Sequence, residues 1–231
     1  MTRPAVRTVL LDAGGVLLDL DYARLQRLLA ERGIAATIDA LSTSESIART
    51  TIDRRVKEGG RTRGAWRDYF RIILRRAGAA EEPAEEMIDT LAQDHARFGL
   101  WTVAIEGAVE TVRALKGAGY RLGVVSNAEG RVERDLDGAG YAGLFEVVVD
   151  SHLVGVEKPD PAIFRIAMER MRIDPADAVF VGDVPSVDVA GARAAGLSPI
   201  LLDRHDLYTD VDAPRLRTIA ELPGWLGAGT L

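Results

Sequence analysis

The chain has no cysteine among its 231 residues, which excludes disulfides and thiolate chemistry outright. That absence fits a reducing cytoplasm, where the chain is expected to act. It also lacks any run approaching the roughly 20 apolar residues a membrane span requires. The apolar opening from Val9 to Leu20 is interrupted by Asp12 and Asp19, so it makes a poor signal-peptide core. Positive charge is in deficit: the formal net charge is -6 and the pI is near 5.2, which argues against nucleic acid as a partner. No Gly-x-Gly-x-x-Gly follows the first apolar run, and no Walker-type loop occurs, so dinucleotide and P-loop chemistry have little support. What remains is an ordinary soluble composition, 47% hydrophobic and 28% charged, long enough for one large domain or a core with a subdomain.

Strand-like segments recur at Val6–Leu11, Arg121–Ser126, Phe145–Val149, Ala178–Val181 and Pro199–Leu202. Helical patterns at Gly107–Lys116, Pro161–Met171 and Ser186–Ala195 separate most of them. Strands alternating with helices of this length predict βαβ crossovers and a mostly parallel sheet. The tail from Ala213 to Leu231 predicts a short closing helix broken by Pro223-Gly224.

The residues after Leu18 break this rhythm and read as helix after helix. Trp66, Tyr69, Phe70, Ile73, Leu74 and Ala77 recur at helical spacing and define one apolar face. Asp21–Arg32, Asp39–Lys57 and Pro83–Phe98 predict further helices, stopped by Gly33, Gly59-Gly60 and Gly78. Arg63, Arg67, Arg71 and Arg75 form a column beside that face, a pattern usual for a solvated surface. A grip on a distal anionic group of a substrate is the alternative.

Four segments carry the chemistry, each ending a strand or lying just beyond one. Asp12 ends the first strand and enters a turn through Gly14-Gly15. Ser126-Asn127 ends a second. Lys158 sits in the proline-stiffened Lys158-Pro159-Asp160-Pro161 turn, and Gly182-Asp183 closes another strand, with Asp188 five positions on. In a parallel sheet all four would converge on the edge where open α/β folds keep their ligands. A carboxylate there suits a nucleophile that accepts a phosphoryl group. Ser126 can hold phosphate oxygens, Lys158 can offset their charge, and Asp12 with Asp183 offers the oxygen donors Mg²⁺ takes. Each segment alone has a plainer reading as a turn, a helix cap or a surface charge; their joint order is what carries weight.

This ordered set resembles the haloacid dehalogenase-like (HAD) hydrolase superfamily in its phosphatase branch. The similarity runs through Val6–Asp19, Ile105–Asn127, Asp150–Phe164 and Ala178–Leu202, and is weak in the helical insert. It implies a Rossmann-like three-layer α/β core with a mostly parallel sheet, built from residues 1–17 and 101–231. An inserted α-helical cap subdomain would occupy residues 18–100. The implied activity is that of a Mg²⁺-dependent phosphoric monoester hydrolase acting on a small phosphorylated metabolite, with neither nucleic acid nor membrane as partner and the oligomeric state left open. By resemblance Asp12 is the nucleophile, and Ser126 and Asn127 bind substrate. Lys158 steadies nucleophile and phosphate, Asp12, Asp183 and the Gly14 carbonyl hold Mg²⁺, and Asp188 supports them.

One departure stands out. Family phosphatases usually carry a second aspartate two residues after the nucleophile, as general acid and base; here that residue is Gly14. General acid–base catalysis contributes about 10²–10⁴-fold, so turnover is expected to be slow unless Asp19, Asp21, His152 or a cap residue substitutes. His95 and His205 have no partners at metal-ligand spacing and read as structural or surface residues. Two rivals follow from the same departure: a metal-independent dehalogenase, whose halide leaves without a proton, and a catalytically weak binder of a phosphometabolite or protein.

Overall fold

The structure, a computed structural model, describes residues 6–60 and 65–228. In chain order the elements begin with β1 (Thr8–Leu11), β2 (Leu18–Leu20), α1 (Tyr22–Ala30), α2 (Ile38–Lys57), α3 (Trp66–Arg76) and α4 (Glu81–Phe98). They continue through β3 (Trp101–Ala104), α5 (Ala108–Gly117), β4 (Arg121–Ser126), α6 (Val132–Leu136), β5 (Val147–Asp150) and α7 (Ser151–Val154). The last are α8 (Pro161–Met171), β6 (Ala178–Gly182), α9 (Ala190–Ala194), β7 (Ser198–Leu202), β8 (Arg215–Leu216) and α10 (Leu222–Gly227).

Six strands form one sheet in the order β5-β4-β1-β6-β7-β8, and every pairing in it is parallel. The fold is thus an α/β, Rossmann-like three-layer core. All four residues of β1 are buried, as are all five of β6, which is why neither shows the apolar–polar alternation of a half-exposed strand. The register aligns Leu11 with Val124 on one side and Val181 on the other, so the three central strands end within two residues of one level. Successive strands leave β1 in both directions, through β4 to β5 and through β6 to β8. The switch in strand order therefore falls at β1, whose C-terminal end is the expected ligand crevice.

On one face of the sheet, Ile163, Phe164, Ala167 and Met171 of α8 pack with Leu10, Val125 and Phe180. Phe164 and Phe180 meet edge to face with ring centroids 4.9 Å apart. Burying either ring contributes about 1.5–3 kcal/mol. α8 starts where it does because the Asp160 carboxylate accepts from the Ala162 N–H at 2.9 Å and Pro161 fills the first turn, where no backbone donor is needed. That cap fixes the turn that carries Lys158.

The chain divides into two compact units, the described residues of Met1–Asp19 with Thr102–Leu231, and Leu20–Trp101. The second is helical. Tyr69, Phe70, Ile73 and Leu74 of α3 bury against Leu25, Leu29, Leu41, Met87 and Leu91. Trp66 stacks into the same cluster, 4.5 Å from the Phe70 ring, so these aromatics serve packing. A carboxylate lies inside this unit: Glu45 is 2% exposed and accepts from Tyr69 Oη at 2.6 Å, Arg49 at 2.7 Å and the Tyr22 hydroxyl. Two arginines of the column form ion pairs, Arg67 with Asp89 at 2.6 Å and Arg71 with Glu85 at 2.5 Å, while Arg75 donates to Ala79 O at 3.0 Å. Arg63 lies outside the described residues.

Three details differ from the sequence reading. β2 and β3, which pair in a separate two-stranded sheet, and β8 are too short to show periodicity. The helix expected over Ser186–Ala195 is a wide π-helical turn, Pro185–Val189, running into α9. Finally, α10 passes through Pro223-Gly224 unbroken, because the proline sits in its first turn.

Candidate active site

Asp12 begins where β1 ends. Its N–H still donates to Val181 O at 2.9 Å, which extends the strand ladder by one residue and anchors the aspartate to β6. The chain then turns: Leu17 and Leu18 donate to Ala13 O at 2.8 and 2.9 Å, and Gly15 takes φ 77°, a conformation costly for a residue with a Cβ. This turn leaves the Asp12 carboxylate 13% exposed at the sheet edge, with Oδ1 accepting from Ala13 N at 2.7 Å. Gly14 lies in the same turn and bridges to Leu18.

Lys158 is 1% exposed, and its ammonium group lies 2.8 Å from Asp12 Oδ1 and 2.8 Å from Asp188 Oδ1. It also stands 5.3 Å over the Phe180 ring. The other oxygen of Asp188 accepts from Asp183 N at 3.1 Å and Val184 N at 2.9 Å. Asp188 therefore ties the lysine to the turn that presents Asp183. Gly182 is obligatory for that approach: a Cβ there would stand 2.3 Å from Asp188 Cβ.

Asp12, Asp183 and Asp188 each offer a carboxylate oxygen, and these atoms lie within 4.8 Å of one another. When all are ionised, one ammonium faces three carboxylates, so the cluster is short of positive charge. Its titration follows. Burial pushes the Asp12 carboxyl above its ordinary range; Lys158 opposes that and Asp188 adds to it. Burial would lower the Lys158 ammonium, but Asp12 and Asp188 outweigh it and hold it above the ordinary lysine value. Both shifts favour gaining positive charge. A set of hard oxygen donors with unbalanced negative charge fits a divalent cation such as Mg²⁺.

Ser126 ends β4, buried and opposite Asp150 on β5. Asn127 turns its amide toward the lysine segment: Oδ1 accepts from Lys158 N at 2.7 Å and Nδ2 donates to Lys158 O at 2.9 Å. That contact spans 31 residues and was not readable from the sequence. The only signal for it was an amide placed immediately after a strand-ending serine.

Two of the candidate substitute acids, Asp19 and Asp21, are engaged elsewhere. Asp19 is held by Arg204 through two contacts, at 2.7 and 3.0 Å. Asp21 caps α1 by accepting from Arg24 N at 2.8 Å. His152 is exposed, with its ring beside Gly130. His95 accepts from Leu100 N at 3.1 Å and packs against Trp101, while His205 is exposed.

A carboxylate at the sheet's switch point, a buried lysine and an acidic pair after β6 make up the site, and comparison with known proteins gives its class. The model of the haloacid dehalogenase-like hydrolase family matches residues 6–196, and the chain belongs to that family. It is 36% identical over 148 residues to the mouse haloacid dehalogenase-like hydrolase domain-containing protein 3, covering 64% of this chain and 59% of the relative. To the phosphoserine phosphatase of Thermus thermophilus it is 37% identical over 150 residues, again 64% of this chain and 59% of the relative. The match thus spans under two thirds of these relatives' length. Among solved structures, the HAD-hydrolase YfnB from Bacillus subtilis bound to magnesium superposes with a TM-score of 0.73 at 21% identity, covering 96% of this chain and 99% of that one. At that identity the likeness concerns the fold.

Proposed function

We propose that the chain is a Mg²⁺-dependent phosphatase that hydrolyses a small phosphorylated metabolite through an aspartyl-phosphate on Asp12. The observation that carries this reading is the meeting of the Asp12, Asp183 and Asp188 carboxylates at the sheet's switch point, with the Lys158 ammonium on Asp12 and Asp188. Asp12, Asp183 and the Gly14 carbonyl would hold the ion. When bound, Mg²⁺ supplies neutralisation of negative charge on the phosphoryl oxygens.

The chain's own residues do the rest. Lys158 keeps the Asp12 carboxylate ionised and oriented, with one oxygen bound and the other left to attack phosphorus. Ser126 holds a phosphoryl oxygen, and Lys158 offsets the charge that gathers on the group. As the Asp12–phosphorus bond forms, the bond to the leaving oxygen breaks, and that oxygen departs with the electron pair. Water then attacks phosphorus and passes a proton to a phosphoryl oxygen, while the bond from phosphorus to Asp12 breaks and releases the carboxylate and dihydrogen phosphate. Gly14 provides no acid for the leaving oxygen, and Asp19 is committed to Arg204. The reading therefore favours leaving groups that depart as stable anions. The helical unit 20–101 is read as the cap that selects the substrate.

A second reading, dehalogenation, is favoured by Gly14 alone, since halide needs no proton. The acidic pair after β6 favours the metal-dependent reading. Assay of a phosphate-ester panel with Mg²⁺ and with EDTA tests both. Hydrolysis that needs the ion and vanishes in Asp12→Asn supports the phosphatase. Halide release from 2-haloacids, indifferent to EDTA, would replace it.

A further inference from the structure

We propose that Asn127 is a positioning residue for Lys158, acting through the lysine's backbone, and that the segment following β4 is laced to the segment following β5 for that purpose. The proposal deepens the reading above, on which its catalytic meaning rests. Its test reads the ammonium group directly.

A lysine side chain is a flexible four-carbon stem with a charge at its tip, and nothing in it selects one direction. Here the tip is fixed to within hydrogen-bonding distance of two carboxylates at once, in a site that is 1% exposed. The root of the stem must therefore be fixed too. Asn127 fixes it: its Oδ1 and Nδ2 take the N–H and the C=O of the same residue, Lys158. Two reciprocal bonds to one residue restrict rotation of its backbone and so set the direction in which its Cβ leaves.

The clamp does not stand alone. Ser151 Oγ accepts from Ala128 N at 3.1 Å and donates to Ala128 O at 3.2 Å, a second reciprocal pair one residue further along. Asp150, 3% exposed, accepts from Gly130 N at 2.8 Å and from His152 N at 2.9 Å. Residues 127–130 and 150–158 are thereby joined side chain to backbone at three points. Ser126, at the head of the first segment, and Lys158, at the end of the second, hold a constant separation. A group bridging them meets a pre-set pair, which is where rate is gained by orientation.

The chain has three lysines, Lys57, Lys116 and Lys158, so chemical labelling of amines resolves each by mass spectrometry. Lys57 is 56% exposed on its side chain and Lys116 lies on the surface of α5; both serve as internal gauges. Acetic anhydride at trace level should acetylate Lys158 at least roughly tenfold more slowly than Lys57 in the wild type, since labelling waits on local opening. In Asn127→Ala the Lys158 rate should rise severalfold while Lys57 and Lys116 keep theirs. Asn127→Asp retains the acceptor for Lys158 N but sets an oxygen against Lys158 O, and it should show the same selective rise. It serves in place of the alanine variant if that one does not fold.

With para-nitrophenyl phosphate as probe, Asn127→Ala should lower kcat with little change in KM, and should add little further loss in a Lys158→Met background. A Lys158 labelling rate unmoved in both variants, or a rise shared by all three lysines, overturns the proposal. A change confined to KM would make Asn127 a substrate ligand and also overturn it. Absence of turnover with selective labelling intact would remove the phosphatase reading and leave the clamp standing.

Discussion

Lys158 and Asp188 meet at 2.8 Å with each residue 1% exposed, and among the described residues Lys158 is the one cation against the Asp188 carboxylate, while the lysine also holds Asp12. Asp188→Ala should destabilise the protein by about 1–3 kcal/mol, because it leaves the N–H groups of Asp183 and Val184 without their acceptor. Urea unfolding measures this. A loss below about 1 kcal/mol, the level of a surface pair, would contradict it.

Gly182 carries a related prediction. A methyl group there collides with Asp188 Cβ and Cγ, at 2.3 and 2.4 Å, and both belong to the acidic turn. Gly182→Ala should cost about 1–3 kcal/mol and weaken protection of the fold by Mg²⁺ in thermal melts. Unchanged melting with and without the ion would show that the turn tolerates displacement.

Much of this site was legible in the sequence, and the reason is geometric. A parallel sheet places the ends of its strands on one edge, so Asp12, Ser126 and Asp183 can be grouped from strand order alone. Lys158 needed only the proline-stiffened turn before α8. Side-chain pairings across long separations were not legible: Asn127 on the Lys158 backbone, Arg204 on Asp19, and Tyr22 and Tyr69 on Glu45. Nothing in local spacing records which loops face each other. The short strands β2, β3 and β8 escaped for a different reason, since a few residues cannot establish a period.

The helical unit has its own acid sensitivity. Burial pushes the Glu45 carboxyl up, but Arg49, Tyr22 and Tyr69 outweigh it and hold the group below the ordinary carboxylate range. A folded value below the unfolded one means the ionised form stabilises the fold above the unfolded pKa. That contribution fades as pH falls from the ordinary carboxylate range through the lower folded value. Glu45→Gln should lose about 1.5–3 kcal/mol at neutral pH and show a flatter acid limb of stability. An acid limb as steep as in the wild type would mean that other groups set it.

Gly14 predicts the dependence on leaving group. Asp19 is held by Arg204 and Asp21 is spent on a helix cap, so neither of these acids is available to replace the one that Gly14 lacks. Aryl and acyl phosphates should be hydrolysed on the order of 10²-fold faster than sugar phosphates, with log kcat/KM falling as the leaving-group pKa rises. A flat profile at full rate would mean that another acid protonates the leaving oxygen.

The central claim is that Asp12 itself carries the phosphoryl group. The most direct measurement is to mix the protein with Mg²⁺ and a radiolabelled aryl or acyl phosphate, quench in acid within a single turnover, and locate the label by peptide mapping. The account predicts hydroxylamine-labile label on the peptide containing Asp12, absent from Asp12→Asn. Label on any other residue, or turnover of the probe by Asp12→Asn at the wild-type rate, would contradict it.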